Sequence, residues 1–330
     1  SLLKGILRSS NNAFNVHQTI GDVQLMLNLV NSGNITAATN PSGSFGFPYA
    51  GLSVHRRGDW MAAIKGTSKH IWQAETYENE NRLGRYISAG HVELLTNKST
   101  NSQSVSRKHS RLELEGWDWS RYPGTTVTYL TQDQIYQTAE ERKQELSRQV
   151  MLSHASLDDQ TTFALHYEDI QSPYPNNKDN HDPNKRQQAI KSVFGFDDTL
   201  LFLGSGIKNG DGKNKVQTTL FQTAIKDDNA NDPNYVNGTQ YTAVNTTVQF
   251  TQSGGGLWLT DTAGNGYVIP KNDKNSNSLQ MKRSEQTFNN SLKQDKTGKF
   301  ATAWIDHGIQ PDNDTYIYAV KVRGGTTATQ

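Results

Sequence analysis

The chain has 330 residues, with 33 Lys and Arg against 32 Asp and Glu, so its net charge of +1 does not point to nucleic acid or to an acidic membrane surface. It has no cysteine, which excludes a disulfide framework and a thiolate metal site. No apolar run is long enough to span a bilayer, so we expect no membrane partner. The balanced charge likewise leads us to expect no nucleic-acid partner.

The first 32 residues have the pattern of a helix. Val23–Val30 (V-Q-L-M-L-N-L-V) places apolar side chains at i, i+3, i+4 and i+7, and Asn31-Ser32-Gly33 is typical of a helix end. A loop rich in Gly, Pro and Ser follows over Thr39–Tyr49. We therefore predict two parts: residues 1–45, a helical tail with its linker, and residues 46–330, a β domain.

From residue 50 onward, short β-type runs alternate with turns. Ala50–Gly66 reads as two strands joined at Arg57-Gly58-Asp59. Further strand-like runs are His70–Ala74, Tyr86–Thr96, Thr125–Leu130, Thr161–Tyr167, Leu200–Gly204, Gln217–Ala224, Val248–Gln252, Leu257–Asp261, Tyr267–Pro270, Thr302–Asp306 and Thr315–Val322. One helix is predicted at Gln132–Gln149. Strands in series without intervening helices predict a mainly β fold, a large antiparallel β-sandwich.

One connection concentrates hydrogen-bonding side chains. The segment W-Q-A-E-T-Y-E-N-E-N-R-L-G-R-Y (Trp72–Tyr86) contains three glutamates, two arginines and two tyrosines. Two interpretations are open. The segment is a surface turn with internal salt bridges, which is the ordinary outcome for loop carboxylates. Alternatively, its arginine–carboxylate forks hold reactive groups in place.

A second feature is G-W-D-W-S-R-Y-P-G-T-T (Gly116–Thr126). We expect Trp117 and Trp119, at i and i+2, to share one face of a strand, with Arg121 close behind. Core packing followed by a Pro-Gly turn explains the pattern. A sugar platform explains it as well, because aromatic faces stack on pyranose rings and Arg binds carboxylate or sulfate.

Charged and metal-binding motifs are weaker. Arg56 and Arg57 at a hairpin tip are either solvent-facing charge or groups that neutralise an anionic polymer. Asp227–Asn234 and Asn272–Asn277 could coordinate calcium, but neither has EF-hand spacing, and solvated turns have the same composition. We therefore expect no certain cofactor and keep a divalent cation (Ca²⁺ or Mg²⁺) open.

Other chemistry is unsupported by the sequence. The histidines His154, His166 and His307 are isolated, and each is more typical of a structural residue than of a metal ligand. No G-x-S-x-G, P-loop or G-x-G-x-x-G motif occurs, so neither a nucleophilic hydrolase nor a nucleotide enzyme is indicated.

The three stretches together resemble family eight of the polysaccharide lyases, which contains chondroitinases, hyaluronate lyases and xanthan lyases. The likeness lies in the basic pair His55-Arg56, in the segment Glu75–Tyr86, and in Trp119 followed by Pro123–Thr126 (P-G-T-T). Within the family the likeness is strongest to the broad-specificity chondroitinase ABC branch. It covers most of the chain from about Gly51.

The resemblance implies a helical toroid followed by a β-supersandwich, with residues 1–45 as the toroid's end. It also implies that Tyr, His and Arg of the toroid carry out β-elimination, while a Glu of the sandwich, matched by Glu75, orients the Arg and Tyr. The family pattern has Asn where this chain has Glu78, with Asn79 adjacent. The implied substrate-binding residues are Glu78, Asn79, Arg56, Arg57, Trp117, Trp119 and Arg121.

The same resemblance implies the partners. The substrate would be an acidic polysaccharide (chondroitin sulfate, dermatan sulfate or hyaluronan), and an upstream helical portion of the enzyme would complete the site. A secreted or periplasmic bacterial protein is expected. Two other hypotheses stay open on residue chemistry: a non-catalytic carbohydrate-binding β-sandwich, and a structural sandwich in a larger assembly.

Overall fold

The structure is a computed structural model that describes residues 28, 29, 31–33, 41–75, 81–97, 105–139, 147–169, 186–209, 211–226, 232–250, 256–271, 278–290 and 294–323. Residues 28, 29 and 31 are helical, and Gly33 follows with φ +79°. The helix end predicted at Asn31-Ser32-Gly33 is therefore confirmed, and the rest of that predicted helix lies outside the described residues. None of the described helices is long and apolar enough to cross a membrane.

Strands dominate the described part of the chain, and their pairings are antiparallel. In chain order they are β1 (Gly43–Phe47), β2 (Leu52–Arg57), β3 (Trp60–Lys65), β4 (His91–Thr96), β5 (Thr126–Thr128), β6 (Leu152–Leu157), β7 (Gln160–Glu168), β8 (Gln188–Phe196), β9 (Thr199–Lys208), β10 (Val216–Ala224), β11 (Asn234–Val236), β12 (Thr239–Tyr241), β13 (Thr246–Phe250), β14 (Leu257–Thr260), β15 (Gly266–Ile269), β16 (Ser278–Asn289), β17 (Asp295–Gly308) and β18 (Asp314–Lys321). The mainly β, antiparallel fold is thus confirmed.

The first four strands form a sheet in the order β1-β2-β3-β4. Its registers run without a shift, and Lys65 pairs with Leu52 on one side and with His91 on the other. Because side chains alternate along a strand, these three residues lie in one row on one face of the sheet. Ala63 and Glu93 pair in the next row of the same face. We call this face the open face.

The opposite face of this sheet is packed against β6 and β7. His55 Nδ1 lies 2.9 Å from Thr161 Oγ1, and Ser53 Oγ lies 2.7 Å from His154 Nδ1. His55 is buried, and this burial lowers its pKa. The two histidines therefore link strands of two sheets, which is the structural use expected of His154, and they leave the open face as the surface that can receive a ligand.

The remaining strands form two larger sheets. A five-stranded sheet has the order β13-β16-β17-β10-β5, and a nine-stranded sheet has the order β12-β11-β14-β15-β18-β9-β8-β7-β6. The ring of Phe221 on β10 lies 4.9 Å from that of Tyr267 on β15, which shows the two sheets in contact. Every residue of β10 is buried, so this strand is covered on both faces and lies at the centre of the sandwich.

The predicted strands His70–Ala74 and Tyr86–Thr96 differ from the structure. In residues 70–74 the described pairing is an isolated bridge from Ile71 to Ser68, because the Thr67 hydroxyl donates to Ile71 O (2.8 Å) and closes a turn there. In the predicted strand Tyr86–Thr96, pairing begins only at His91, since Ala89 N–H donates to Tyr86 O (3.1 Å) in a turn.

The predicted helix Gln132–Gln149 is shorter in the structure. Helix α1 covers Gln132–Ala139. Its start has a reciprocal capping box: Thr131 N–H donates to Gln134 Oε1 (2.8 Å), and Gln134 N–H donates to the Thr131 hydroxyl (3.4 Å). Residues 147–149 are not helical, so the predicted end is wrong, and residues 140–146 lie outside the described part.

Candidate functional site

A groove of about 380 Å³ lies on the open face of the four-stranded sheet. The sheet supplies its floor, which consists of Leu52, Ala63, Lys65, His91 and Glu93. These are the residues that register and alternation place on one face of β2, β3 and β4. The floor is mixed in character, since two aliphatic side chains lie among one cation, one carboxylate and one imidazole.

The connection before β5 supplies an aromatic wall. Trp117, Trp119 and Tyr122 line the groove together with Leu112 and Leu114. The indole N–H of Trp119 donates to Asn289 O (2.9 Å), and its ring lies 6.3 Å from that of Tyr122. The Trp119 ring is therefore held in place while one side of it faces the groove.

The predicted strand beneath these tryptophans is wrong. Residues 116–125 form successive turns, and Asp118 is the reason: its carboxylate accepts from Ser120 N–H (3.0 Å) and its carbonyl accepts from Arg121 N–H (3.0 Å). Trp117 is 3% exposed and packs edge-on against Tyr122. Both indoles still reach the groove, but Trp117 does so mainly as a core residue.

The third side of the groove is the connection that follows Glu75. Asn81 and Ile87 lie at its edge. Asn81 adopts φ 49° and its amide nitrogen donates to Glu75 O (2.7 Å), so the groove edge is joined directly to Glu75. Glu75 itself is exposed, while Glu78 and Asn79 lie outside the described residues.

A buried network holds the base of this connection. Gln73 donates to Arg85 O (3.2 Å) and to the Tyr167 hydroxyl (3.0 Å). The Arg85 guanidinium donates to both carboxylate oxygens of Asp169, each at 2.8 Å. The Tyr86 hydroxyl donates to a carbonyl before α1, Thr128 O, at 2.7 Å. Both ends of the segment that carries Glu75 are therefore fixed to the core.

The electrostatics of the groove are simple. Burial lowers the pKa of His91 to about 4, so this imidazole is neutral at pH 7. Glu93 and Arg107 form a two-point pair, with Arg107 Nε at 2.6 Å from Oε1 and a terminal nitrogen at 3.0 Å from Oε2. Burial also raises the pKa of Tyr122, so its hydroxyl stays protonated. The groove thus combines aromatic faces with a small number of placed polar groups.

The comparisons with known proteins agree with this architecture. The family model for polysaccharide lyase family 8, super-sandwich domain, matches residues 42–330. The chain belongs to this family. The chondroitin sulfate ABC endolyase of Proteus vulgaris is 33% identical over 288 residues, which cover 87% of this chain and 26% of that protein. The chondroitin sulfate ABC exolyase of Bacteroides thetaiotaomicron is 29% identical, covering 86% of this chain and 26% of that protein.

A solved structure with the same fold is a Paenibacillus xanthan lyase, with a TM-score of 0.71 and 21% identity over 93% of this chain and 27% of that chain. A Streptomyces coelicolor chondroitin AC lyase in complex with chondroitin sulphate has a TM-score of 0.65 and 22% identity, over 91% of this chain and 35% of that chain. The chain spans about a quarter of the length of the curated relatives it matches. The division predicted at residue 45 lies close to the start of the family match, and it stays a prediction.

Two predicted arginines lie on the hairpin β2–β3 of this family 8 domain. Arg56 lies on the open face, where a terminal nitrogen approaches Met61 Sδ (3.7 Å). Arg57 is on the opposite face and donates to Asp159 O (2.6 Å). Only Arg56 therefore shares a face with the groove, and the substrate-binding role of both residues stays a prediction.

Arg121 does not line the groove. Its guanidinium lies 3.8 Å from the Trp304 ring centroid, and it donates to Asp118 Oδ2 and Gln217 Oε1, both at 3.0 Å. These contacts use its planar fork inside the protein and support the turn that carries Trp119. Its predicted contact with substrate has no support in this geometry and stays a prediction.

The divalent cation also stays a prediction. Among the described residues no group of three or more His, Cys, Asp or Glu side chains is arranged to hold a metal ion. The loop Asn272–Asn277 and most of Asp227–Asn234 lie outside the described part. Within the second loop, Asp232 pairs with Arg111 at 2.7 Å.

Four groove residues were not predicted from the sequence: Lys65, His91, Glu93 and Arg107. The signal for the first three was available, because the alternation of W-M-A-A-I-K (Trp60–Lys65) opposite the run that begins at His91 places them on one face. Arg107 could not have been found, since its pairing with Glu93 depends on a chain reversal 14 residues long.

Proposed function

We propose that this chain forms one wall of the active site of a glycosaminoglycan lyase, which cleaves its polymer by β-elimination and leaves an unsaturated uronate. One observation carries the proposal: three separate motifs meet at one place. One groove is lined by three segments: the hairpin β2–β3, the connection that follows Glu75, and the connection before β5 that carries Trp119, which we call the Trp119 connection. Family membership and the names of the curated relatives agree with it.

In this proposal Glu75 is a positioning residue. A carboxylate that accepts a two-point hydrogen bond from a guanidinium fixes its plane, and it orients a neighbouring phenol in the same way. We propose that the Arg and Tyr lie on a helical portion of the enzyme upstream of the sandwich and that Glu75 reaches them across the cleft. Glu75 is exposed and its carbonyl accepts from the groove-edge residue Asn81, which supports this arrangement.

The proposed substrate is an acidic polysaccharide of the chondroitin, dermatan or hyaluronan type. The Trp119 ring would stack on a sugar face, because its position is fixed by the bond to Asn289 O. Polysaccharides of this type are found outside the cell, so we propose that the protein is secreted or periplasmic. The relatives' names, chondroitin sulfate ABC endolyase and exolyase, support this substrate class.

The test is Glu75→Gln in the full-length enzyme, followed by the ultraviolet absorbance of unsaturated uronate released from chondroitin sulfate. Removing one preorganised electrostatic contact is expected to lower kcat by about 100-fold or more. The matched control is Glu285→Gln, an exposed glutamate on β16, which should leave turnover unchanged. Normal turnover of the Glu75 variant would refute the positioning role.

The second candidate function is a non-catalytic carbohydrate-binding module, and the fixed Trp119 ring favours it. It predicts that the chain binds chondroitin sulfate while the full-length protein releases no unsaturated product. In a lyase, Trp119→Ala should raise KM because it removes the aromatic face on which a sugar ring would stack. A folded variant with unchanged KM would show that Trp119 does not contact substrate.

A further inference from the structure

The charged groups around the groove are mostly neutralised by one another. Glu93 and Arg107 form their two-point pair across one edge. Glu113, which also lines the groove, lies 2.8 Å from Lys226 Nζ. His91 is neutral at pH 7. A ligand in the groove therefore meets little net charge from these groups.

Lys65 is the exception. It lies on the floor between Leu52 and His91, at the end of β3. Its Nζ donates to Ala50 O (2.5 Å) and to Gly66 O (3.3 Å), so among the described residues its contacts are carbonyl oxygens rather than carboxylates. Burial lowers its pKa, as expected for a cation without an anionic partner.

The two carbonyl contacts also fix where the ammonium group lies. A lysine ammonium has three N–H donors, and these contacts use two of them. The third donor remains for a ligand, and the aliphatic neighbours Leu52 and Ala63 lower the local dielectric around it. A charge-assisted hydrogen bond made there is stronger than one made in open solvent.

We propose that Lys65 is the residue of this groove that binds the anionic substituent of a sugar unit, a carboxylate or a sulfate ester. The proposal rests on the proposed function for its substrate class, and it assigns a specificity-determining role to a residue of the sandwich. The sugar ring would lie along Trp119 while its oxyanion accepts from Lys65, because both side chains line the same groove.

The test is calorimetric binding of size-defined chondroitin sulfate oligosaccharides to the chain and to its Lys65→Met variant. Loss of a hydrogen bond to a charged group predicts binding about 10-fold to 100-fold weaker. Lys65→Arg keeps the charge and should restore most of the affinity. Lys65→Gln keeps a donor without the charge, and it should fold normally while binding as weakly as the Met variant.

The matched control is Lys321→Met, which changes the net charge by the same amount at an exposed site paired with Asp198. Its affinity should stay within about twofold of the wild type, since screening weakens distant charges. Equal weakening by the two Met variants would overturn the proposal, because it would show only a general electrostatic effect. So would unchanged affinity of folded Lys65→Met.

A parallel measurement with unsulfated chondroitin shows whether Lys65 binds the uronate carboxylate or the sulfate ester. If Lys65→Met weakens binding of both polymers equally, Lys65 binds the uronate carboxylate, and if the loss is confined to the sulfated polymer, it binds the sulfate. The full-length enzyme separates the two proposals: a higher KM with unchanged kcat supports Lys65 as a binding residue. Absence of unsaturated product alongside Lys65-dependent binding would refute the lyase and leave the Lys65 site standing.

Discussion

Arg85 and Asp169 illustrate what a single buried pair does for the proposed site. Their side chains are 1% and 5% exposed, and they join the connection that carries Glu75 to the end of β7. Burial alone would lower the pKa of Arg85, but the adjacent Asp169 carboxylate more than offsets this and raises it. The pair therefore fixes the base of the connection, while Glu75 stays at the surface.

Replacing Asp169 with Asn should be strongly destabilising. It leaves the Arg85 charge buried without its counter-ion, and breaking such a pair costs about 3–5 kcal/mol. Equilibrium urea unfolding measures the change. The control is Glu93→Gln in the pair with Arg107, whose arginine is 62% exposed and whose loss should cost about 1 kcal/mol or less. Equal losses in the two variants would contradict the argument.

At the residue scale, the sequence indicated which segment would be rich in charged hydrogen bonds, but not which residues would be the partners in those bonds. The density of carboxylates and arginines at Trp72–Tyr86 left two interpretations open, a surface turn with internal salt bridges or arginine–carboxylate pairs that hold reactive groups, and Arg85 does bind a carboxylate through one terminal nitrogen. That carboxylate belongs to Asp169, which lies 84 residues further along the chain. Such a pair depends on how β7 packs against the connection, and local spacing carries no information about that.

At the scale of elements, two glycines allow the Trp119 connection to lie against the hairpin β16–β17. Gly116 has φ +81°, and a Cβ there would overlap Gly298 N and lie 2.7 Å from Gln286 O. A Cβ on Gly298 would in turn overlap Glu115 O. The two backbones therefore touch directly, and the aromatic wall of the groove is placed by this close approach.

Gly116→Ala should destabilise the protein by two additive effects. The left-handed backbone costs about 1–3 kcal/mol for a non-glycine residue. Overlap with a rigid backbone adds about 1–3 kcal/mol. Gly264→Ala is the matched control, because Gly264 has φ +88° with open space around it and should show the first effect alone. Thermal or urea unfolding that finds the two variants equally stable would contradict the close approach.

The strands show where periodicity was sufficient. Runs with alternating apolar residues, such as Thr161–Tyr167 in β7, were found nearly in full, whereas β1, β6, β8, β11, β12 and β16 were missed. β16 shows the reason. Its inward position Arg283 is a buried cation that donates to Asp232 O and Thr242 O, each at 3.0 Å. A polar side chain satisfied by distant carbonyls replaces the apolar signal that a pattern needs.

At the scale of the whole molecule, Lys191 joins all three sheets. It lies on β8 in the nine-stranded sheet, is 2% exposed, and donates to the carbonyl oxygens of Gly90 and Gly124. Gly90 directly precedes β4 of the four-stranded sheet, and Gly124 lies in the turn before β5 of the five-stranded sheet. One ammonium group thus ties the groove floor and its aromatic wall to the core.

This lysine predicts a specific dependence of stability on pH. Burial lowers its pKa to about 7 in the folded protein, against 10.5 for the ordinary group. Between these values the unfolded chain binds more protons, so the free energy of unfolding rises with pH, by at most about 1.4 kcal/mol per unit. Below pH 7 both states are protonated, and the full cost of burying the charge is present.

Urea unfolding of Lys191→Met across pH 6 to pH 10 provides the measurement. The variant lacks the proton, so the stability of the wild type relative to it should increase as pH rises from about 7 toward 10. A difference for Lys191→Met that does not change with pH would show that the ammonium does not titrate in this window.

On the strands of the open face, core packing and contact with the groove are assigned to alternate residues. On β3 the core depends on Trp60, Ala62 and Ile64, whereas Ala63 and Lys65 face the groove. Substitutions that alter the groove can therefore change every second residue of β3 without altering the packed side. A small combinatorial library at Leu52, Ala63 and Lys65 should therefore yield mostly folded proteins, and it is a practical starting point for changing what the groove binds.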